Sequence, residues 1–292
     1  MGRRKSREEL IYQLIVNAFL LLALLVVVIP LLRVITMSVS PIKSGREYLG
    51  GLLIPFSRWS MAAYDQLLSH PAFISSLRNS VLITVLGTAT NLLLTIPLAY
   101  VLSIKSLPGR KFFNAFILVP FLFNPGLIPS YLVVTGLHLT DSYLAVILPG
   151  AVSVYNAFVM RGFFEGIPED FKEAARIDGA GEFYILRRII LPLSKPIILT
   201  IGLFYGVSHW NEFFAPLLYL NDTKLQPLPV LLRNILLAAN VNEYVDFDAM
   251  SAAPVSALKA ASVVLTTLPM VALYPWIQKH FTKGTLVGGI KG

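Results

Sequence analysis

Long stretches without a charged residue set the rhythm of this chain. AFLLLALLVVVIPLL, residues 18–32, carries no polar side chain at all. A helix crossing the hydrocarbon core of a bilayer needs about 20 mostly apolar residues. Six segments meet or approach that length: residues 10–32, 77–103, 112–134, 142–163, 196–220 and 257–277. The first is too long for a signal-peptide core and no small-residue cleavage site follows it, so it reads as a retained span. The pattern predicts an all-α integral membrane fold with six transmembrane helices. It divides the chain into an N-terminal tail, 1–9, and a single transmembrane domain, 10–292.

Composition agrees with the pattern. Of the 292 residues, 55% are hydrophobic and 14% charged, against about 25% charged in soluble domains. Mean hydropathy is +0.70. The chain has no cysteine, which excludes disulfides, thiolate metal sites and cysteine nucleophiles. The net charge of +8 could point to nucleic acid, but the charges sit at the ends of apolar runs and form no basic face with interleaved aromatics. Their placement is a topology signal. With the N-terminus inside, the inner segments hold Arg3, Arg4, Lys5 and Arg7, then Lys105, Arg110 and Lys111. They continue with Arg161, Lys172, Arg176, Arg187, Arg188 and Lys195, then Lys279, Lys283 and Lys291, sixteen of the 24 basic residues. The positive-inside rule therefore places both termini in the cytoplasm. Two outer loops, 33–76 and 221–256, are long, while 135–141 is a tight turn. The long ones either fold over the outer face and meet an external partner, or act as tethers.

One inner segment is out of keeping with its neighbours. Residues 164–195, FEGIPEDFKEAARIDGAGEFYILRRIILPLSK, are rich in charge and lie between spans four and five. Pro168 suits the first position of a helix, where its missing N–H costs nothing. Glu169 and Asp170 favour the positive end of the helix dipole. Phe171, Ala174 and Ala175 make one small apolar face, with Lys172, Glu173 and Arg176 around it. Gly179 can take the left-handed conformation that stops a helix. A second helix follows from Gly181, with Phe183, Leu186 and Ile190 on one face, and ends near Leu191-Pro192. The predicted element is a short helix over 169–178, a glycine turn, an amphipathic helix and a proline break. Such an element presents a knob to a partner while tied to a span. The alternative is a surface helix with no partner.

Glu173-Ala174-Ala175, then Gly179, Ile189 and Leu191-Pro192 at these spacings resemble the EAA loop of ABC-importer permeases. The stretches GLIPSYLVVTGLHLTDSYLAVILPGA, SHWNEFF and ALKAASVVLTTLPMVALYPWIQKHFTKGTLVGGIKG extend the likeness over nearly the whole chain. They resemble the carbohydrate-uptake permeases, and within them the oligo- and polysaccharide branch that includes alginate importers. The resemblance implies that the loop is a coupling helix docking on a cytoplasmic ATPase through Glu173, Ala174, Ala175, Asp178, Gly179, Ile189, Leu191 and Pro192. It implies as partners a second, related permease subunit, two ATPase subunits and an extracytoplasmic solute-binding protein. The function it implies is ATP-driven import of an oligosaccharide across the bacterial inner membrane, with an anionic one such as an alginate fragment left open. ATP and Mg would be bound by the partner ATPases. Composition and spacing by themselves reach only the topology and a docking element.

The chemistry absent from the sequence narrows the field. No GxxxxGK[ST] phosphate loop occurs, so no ATP binding by this chain is expected. His70, His138, His209 and His280 are far apart and predict no metal site; no GxSxG elbow is present. A secondary transporter working without an ATPase is the alternative function, but acidic residues are almost absent from the span centres and no internal repeat is evident. An intramembrane enzyme lacks any recognisable catalytic set.

Span five is the exception to apolar spans, with Tyr205, His209, Trp210, Asn211 and Glu212. Tyr205, His209 and Glu212 recur at helical spacing on one face. They are candidates for a substrate path that hydrogen-bonds a sugar, with Trp210 or Tyr205 offering an apolar face to a ring; the alternative is interhelical glue. Gly202 and Gly206 form a GxxxG on the same helix. In span three, Pro120, Asn124, Pro125 and Pro129 predict a kinked or discontinuous helix near 123–129. In the last outer loop, 221–254, the run 228–239 is too short to span and predicts a helix at the outer mouth. In the family this loop reaches the solute-binding protein.

Overall fold

The computed structural model describes residues 7–41, 56–123, 125–237 and 253–288, and among them there are helices and no strand. The long helices are α1 (Arg7–Ser38), α3 (Pro71–Ser103) and α14 (Val255–Gly288), with α2 (Ala62–Ser69) before α3. After α3 come α4 (Arg110–Leu122), α5 (Leu127–Gly136), α6 (Tyr143–Ile147) and α7 (Val154–Glu165). The charged loop forms α8 (Asp170–Ile177), α9 (Glu182–Ile185), a π turn over Leu186–Ile190 and α10 (Leu191–Leu193). It leads into α11 (Lys195–Asn211), α12 (Phe214–Tyr219) and α13 (Leu228–Leu237).

All six predicted apolar segments are helical, but three are interrupted. Among the described residues, three helices are long and apolar enough to cross a membrane: Ile11–Ser38, Pro71–Ser103 and Val255–Leu273. The number rises to at most five if each of two bent pairs counts as one span, α4 with α5 at 109° and the α9–α10 segment with α11 at 84°. The break between α4 and α5 falls at the prolines that predicted it. The segment 142–163 is not one helix: α6 stops at Ile147 and α7 starts at Val154. Pro149-Gly150 lies in the gap, and neither residue favours continuation of a helix. The segment 196–220 breaks at Glu212-Phe213, between α11 and α12. An average of hydrophobicity along a window is blind to such breaks.

The chain divides into two compact units, residues 1–71 with 232–268, and residues 72–231 with 269–292. In the first, Ser38 Oγ and Tyr64 OH share a hydrogen bond of 2.6 Å, and Ser60 N donates to Val39 O at 3.0 Å. The apolar window of α1 is exposed throughout.

The second unit holds the charged loop. Its main core joins Ala99 and Tyr100 of α3, Met160 and Phe164 of α7, Ile185 and Ile190 of the loop, and Ile201 and Tyr205 of α11. Along α3 the buried side chains include Ser76, Asn79, Ser80, Gly87, Asn91 and Thr95, whereas Val85, Leu86, Leu93 and Leu94 are exposed. That is amphipathicity turned inside out, small and polar within and apolar without, as befits a helix whose outer surface meets hydrocarbon or another apolar helix.

Candidate functional site

Helix α8 begins without a side-chain cap; Asp170 and Glu173 in its first turn face the positive end of its dipole. Its end is tightly specified. Asp178 is the C-cap and Gly179 follows at φ +81°. Gly179 N donates to Arg176 O at 3.0 Å and Ala180 N to Ala175 O at 2.9 Å, the paired bonds of a Schellman motif. Ala175 and Ala180, the two residues joined by the longer of these turns, both pack against the main core. The spacing of Ala175 and Gly179 thus has a physical basis. One residue must be small enough to sit against the core, and four positions on the chain must turn through a conformation that L side chains avoid.

One side of α8 is anchored and the other is bare. Lys172, expected at the margin of the apolar face, is 3% exposed and donates to Glu169 at 3.0 Å. Arg176 joins Glu169 at 3.3 Å to Glu182 at 3.0 Å, and Glu182 accepts the hydroxyl hydrogen of Tyr100 from α3. Burial alone would raise the Glu169 carboxyl, but hydrogen bonds and charge from Lys172 and Arg176 outweigh it and hold the group below its ordinary value. The same pairing with Glu182 and Glu169 raises Arg176. Outward, Phe171, Ile177, Phe183 and Tyr184 are exposed, Ile177 at 86%, together with Glu173, Ala174 and Asp178. Phe183 therefore does not share the buried face of Leu186 and Ile190 predicted for it.

Beyond α9 the backbone widens into the π turn, where Leu191 N donates to Leu186 O. Pro192 has no N–H to give, and a π turn beside it accommodates that gap without ending the segment. Ile189 and Leu191 pack against the main core. Ser194, wholly buried, marks the bend into α11.

The polar residues of α11 face α3 and the gap between α6 and α7. Tyr205 OH shares a 2.8 Å hydrogen bond with Thr95 Oγ1 and accepts from Ser153 N at 3.0 Å. His209 Nε2 lies 3.0 Å from Asn91 Oδ1, and Asn91 Nδ2 donates to Gly150 O at 2.9 Å. Backbone groups released where a helix breaks in an apolar setting must find partners; here Asn91 and Tyr205 supply them. Glu212 stands outside α11, not on the face of Tyr205 and His209. Its Oε1 accepts from Phe214 N at 2.8 Å and Ala215 N at 3.1 Å, which caps α12. Trp210 is buried, and Asn211 is exposed with its amide on Val207 O. Gly202 and Gly206 face Leu92 and Thr88 of α3. An apolar groove runs there, lined by Thr88, Leu92, Gly202, Gly206, Trp210 and Met270; it offers a sugar almost no hydrogen-bonding group.

Two sets of residues were not singled out in the sequence. Asn91 and Thr95 carry a signal that could have been read, since Gly87, Asn91 and Thr95 repeat every fourth residue in an apolar helix. Tyr100 and Ser153 carry none, because their roles come from distant partners.

At the other end of the unit, Asp141 at φ +55° accepts from Asn221 N at 2.5 Å and Asp222 N at 3.0 Å. The Asp222 amide chiefly holds its carboxyl below the ordinary value, with desolvation opposing it and Asn221 helping. Asn79 Nδ2 donates to Lys224 O at 2.7 Å and Gln226 O at 3.1 Å. Helix α13 confirms most of the short helix predicted over 228–239, and Leu228 N at its start donates to Ser80 Oγ at 2.8 Å. Residues 238–252 of the same loop are not among the described residues.

Residues 1–287 match the family of binding-protein-dependent transport system inner membrane components, and the chain belongs to it. It is thus a multi-pass membrane permease component, and the secondary-transporter alternative finds no support. It is 38% identical over 286 residues to the polygalacturonan/rhamnogalacturonan transport system permease protein YtcP of Bacillus subtilis, covering 97% of this chain and 99% of that one. LplC of the same organism is 42% identical over 236 residues, 80% of each chain. Among solved structures, a bacterial ABC transporter involved in the import of the acidic polysaccharide alginate contains a chain with TM-score 0.88 and 31% identity, covering 96% of this chain and all of that one.

Proposed function

We propose that this chain is the permease subunit of an ATP-driven importer for oligosaccharides from acidic polysaccharides, and that α8 is the element through which a cytoplasmic ATPase drives it. The observation that carries the coupling role is the two-sidedness of α8. Lys172, Ala175 and Arg176 fasten it inward, while Glu173, Ala174, Ile177 and Asp178 are offered outward beside exposed Phe171, Phe183 and Tyr184. A free apolar and acidic surface on a rigid, capped helix is suited to a groove on a partner. Gly179, Ile189, Leu191 and Pro192 shape the element and do not themselves face outward as a group.

The fuller assembly follows from the family. Six spans with both termini inside require that α6 with α7, and α11 with α12, each cross as broken segments whose gaps are filled by side chains of the same chain. A second related permease subunit completes the pathway, two ATPase subunits bind and hydrolyse MgATP, and an extracytoplasmic solute-binding protein delivers the ligand to the outer loops, including 221–256. Tyr205 and His209 contribute to the pathway by holding its wall, while Asn211 is the exposed member of the set.

The acidic character of the substrate is supported by two relatives, one named for polygalacturonan and rhamnogalacturonan and one described for alginate. The test is ATP hydrolysis by the complete purified complex in the presence of loaded binding protein. Oligogalacturonate or alginate fragments should stimulate it. Stimulation by neutral oligosaccharides alone would overturn the acidic assignment, and a complex that purifies without an ATPase would overturn the coupling role.

A further inference from the structure

Helix α3 touches the charged loop at its inner end and the broken helices further along. Tyr100 is 4% exposed, its ring is part of the main core, and its hydroxyl donates to Glu182, the residue that also holds Arg176 of α8. On the same helix Thr95 bonds Tyr205 of α11, and Asn91 bonds both His209 of α11 and the Gly150 carbonyl in the gap before α7. Apolar packing between these elements is non-directional and tolerates sliding. Hydrogen bonds made by buried groups do not, because a broken one leaves the buried partner, here the Tyr100 hydroxyl, unsatisfied.

We propose that Tyr100 is a positioning residue of the transport cycle: it clamps α8, through Glu182 and Arg176, to the inner end of α3. A displacement of α8 is then delivered to α3 and, by Thr95 and Asn91, to α11 and the gap at 148–153. This rests on the coupling role proposed above. It adds that the loop is read by α3, and not only by the α11 to which it is covalently joined.

The test uses the complete complex with its binding protein and ATPases. Tyr100→Phe removes one oxygen and keeps the ring in the core. The expected result is normal ATPase retention and basal hydrolysis, with stimulation by loaded binding protein reduced about tenfold, the scale of a lost hydrogen bond to a charged group. Glu182→Ala, at a half-exposed side chain, should reduce stimulation to the same degree, and the double variant should fall no further. A purely structural role would lower basal and stimulated hydrolysis in proportion; that result, or unchanged stimulation in Tyr100→Phe, overturns the proposal. Should Tyr100→Phe fail to assemble, full stimulation in Glu182→Ala overturns it equally. Glu173→Lys separates the two levels. If that variant keeps full stimulation, the docking role of α8 fails, whatever Tyr100 does.

Discussion

The imidazole of His209 fills the space that a side chain at Gly87 would need. A Cβ built on Gly87 meets His209 Nε2 at 2.5 Å, and the same nitrogen lies 3.0 Å from Asn91 Oδ1. The glycine is therefore required by α11, not by the conformation of α3. Gly87→Ala should force the ring away and loosen its bond to Asn91, at a cost of about 1–3 kcal/mol typical of overpacking. Thermal unfolding of the purified protein in detergent reads the loss. Adding His209→Ala should return part of it, and an unaltered midpoint in Gly87→Ala would contradict the packing.

At Gly179 the constraint is of the opposite kind. Nothing lies within 4 Å of a Cβ built there, yet φ is +81°. Gly179→Ala should be strained by the backbone alone, by about 1 kcal/mol or more, and Gly179→Leu similarly despite its size. Gly179→Asn should be milder, since Asn tolerates the left-handed region. The readout is stimulated hydrolysis by the assembled complex, expected to be higher for Asn than for Ala and Leu, which should fall alike; equal activity in all three would show that the Schellman turn does not set the docked position of α8.

Asp141 provides a pH signature. Its carboxyl is held below the ordinary value by the Asp222 and Asn221 amides. A depressed folded pKa contributes stability above the unfolded value, near 3.9, and that contribution disappears as pH falls through the folded pKa. The wild type should therefore unfold at a higher temperature than Asp141→Asn near neutral pH, with the gap closing once the pH drops below about 4. A gap independent of pH would mean that the carboxylate charge contributes nothing at this turn.

Topology can be mapped on a cysteine-free background. Ile177→Cys sits on the most exposed apolar position of α8, 86% accessible. A membrane-impermeant maleimide should label it in inside-out vesicles from cells that lack the ATPase subunits and leave it untouched in intact cells. Labelling from outside would invert the inside assignment of both termini and of the loop.

Much of this protein is written in one dimension. Hydrophobic length specifies helices, and the sequence from Glu173 to Pro192 specifies a capped helix and a break, because these depend on neighbours close along the chain; the placement of lysine and arginine predicts a sidedness. The tertiary structure decided what no window can contain. The break at Pro149-Gly150 is local, but which groups satisfy the backbone it frees is not: Asn91 and Tyr205 lie some 60 and 50 positions from the Gly150 and Ser153 groups they meet. The sequence leaves Tyr205 and His209 open between a sugar path and interhelical glue; only the fold shows that each has a hydrogen-bonding partner on α3. Lys172, placed by the sequence beside the apolar face of its helix, is 3% exposed; its ion pair with Glu169 is local, but its burial is set by what packs around the helix. Local chemistry can be read from the order of residues; the satisfaction of a buried polar group is a property of the atoms that folding brings to it.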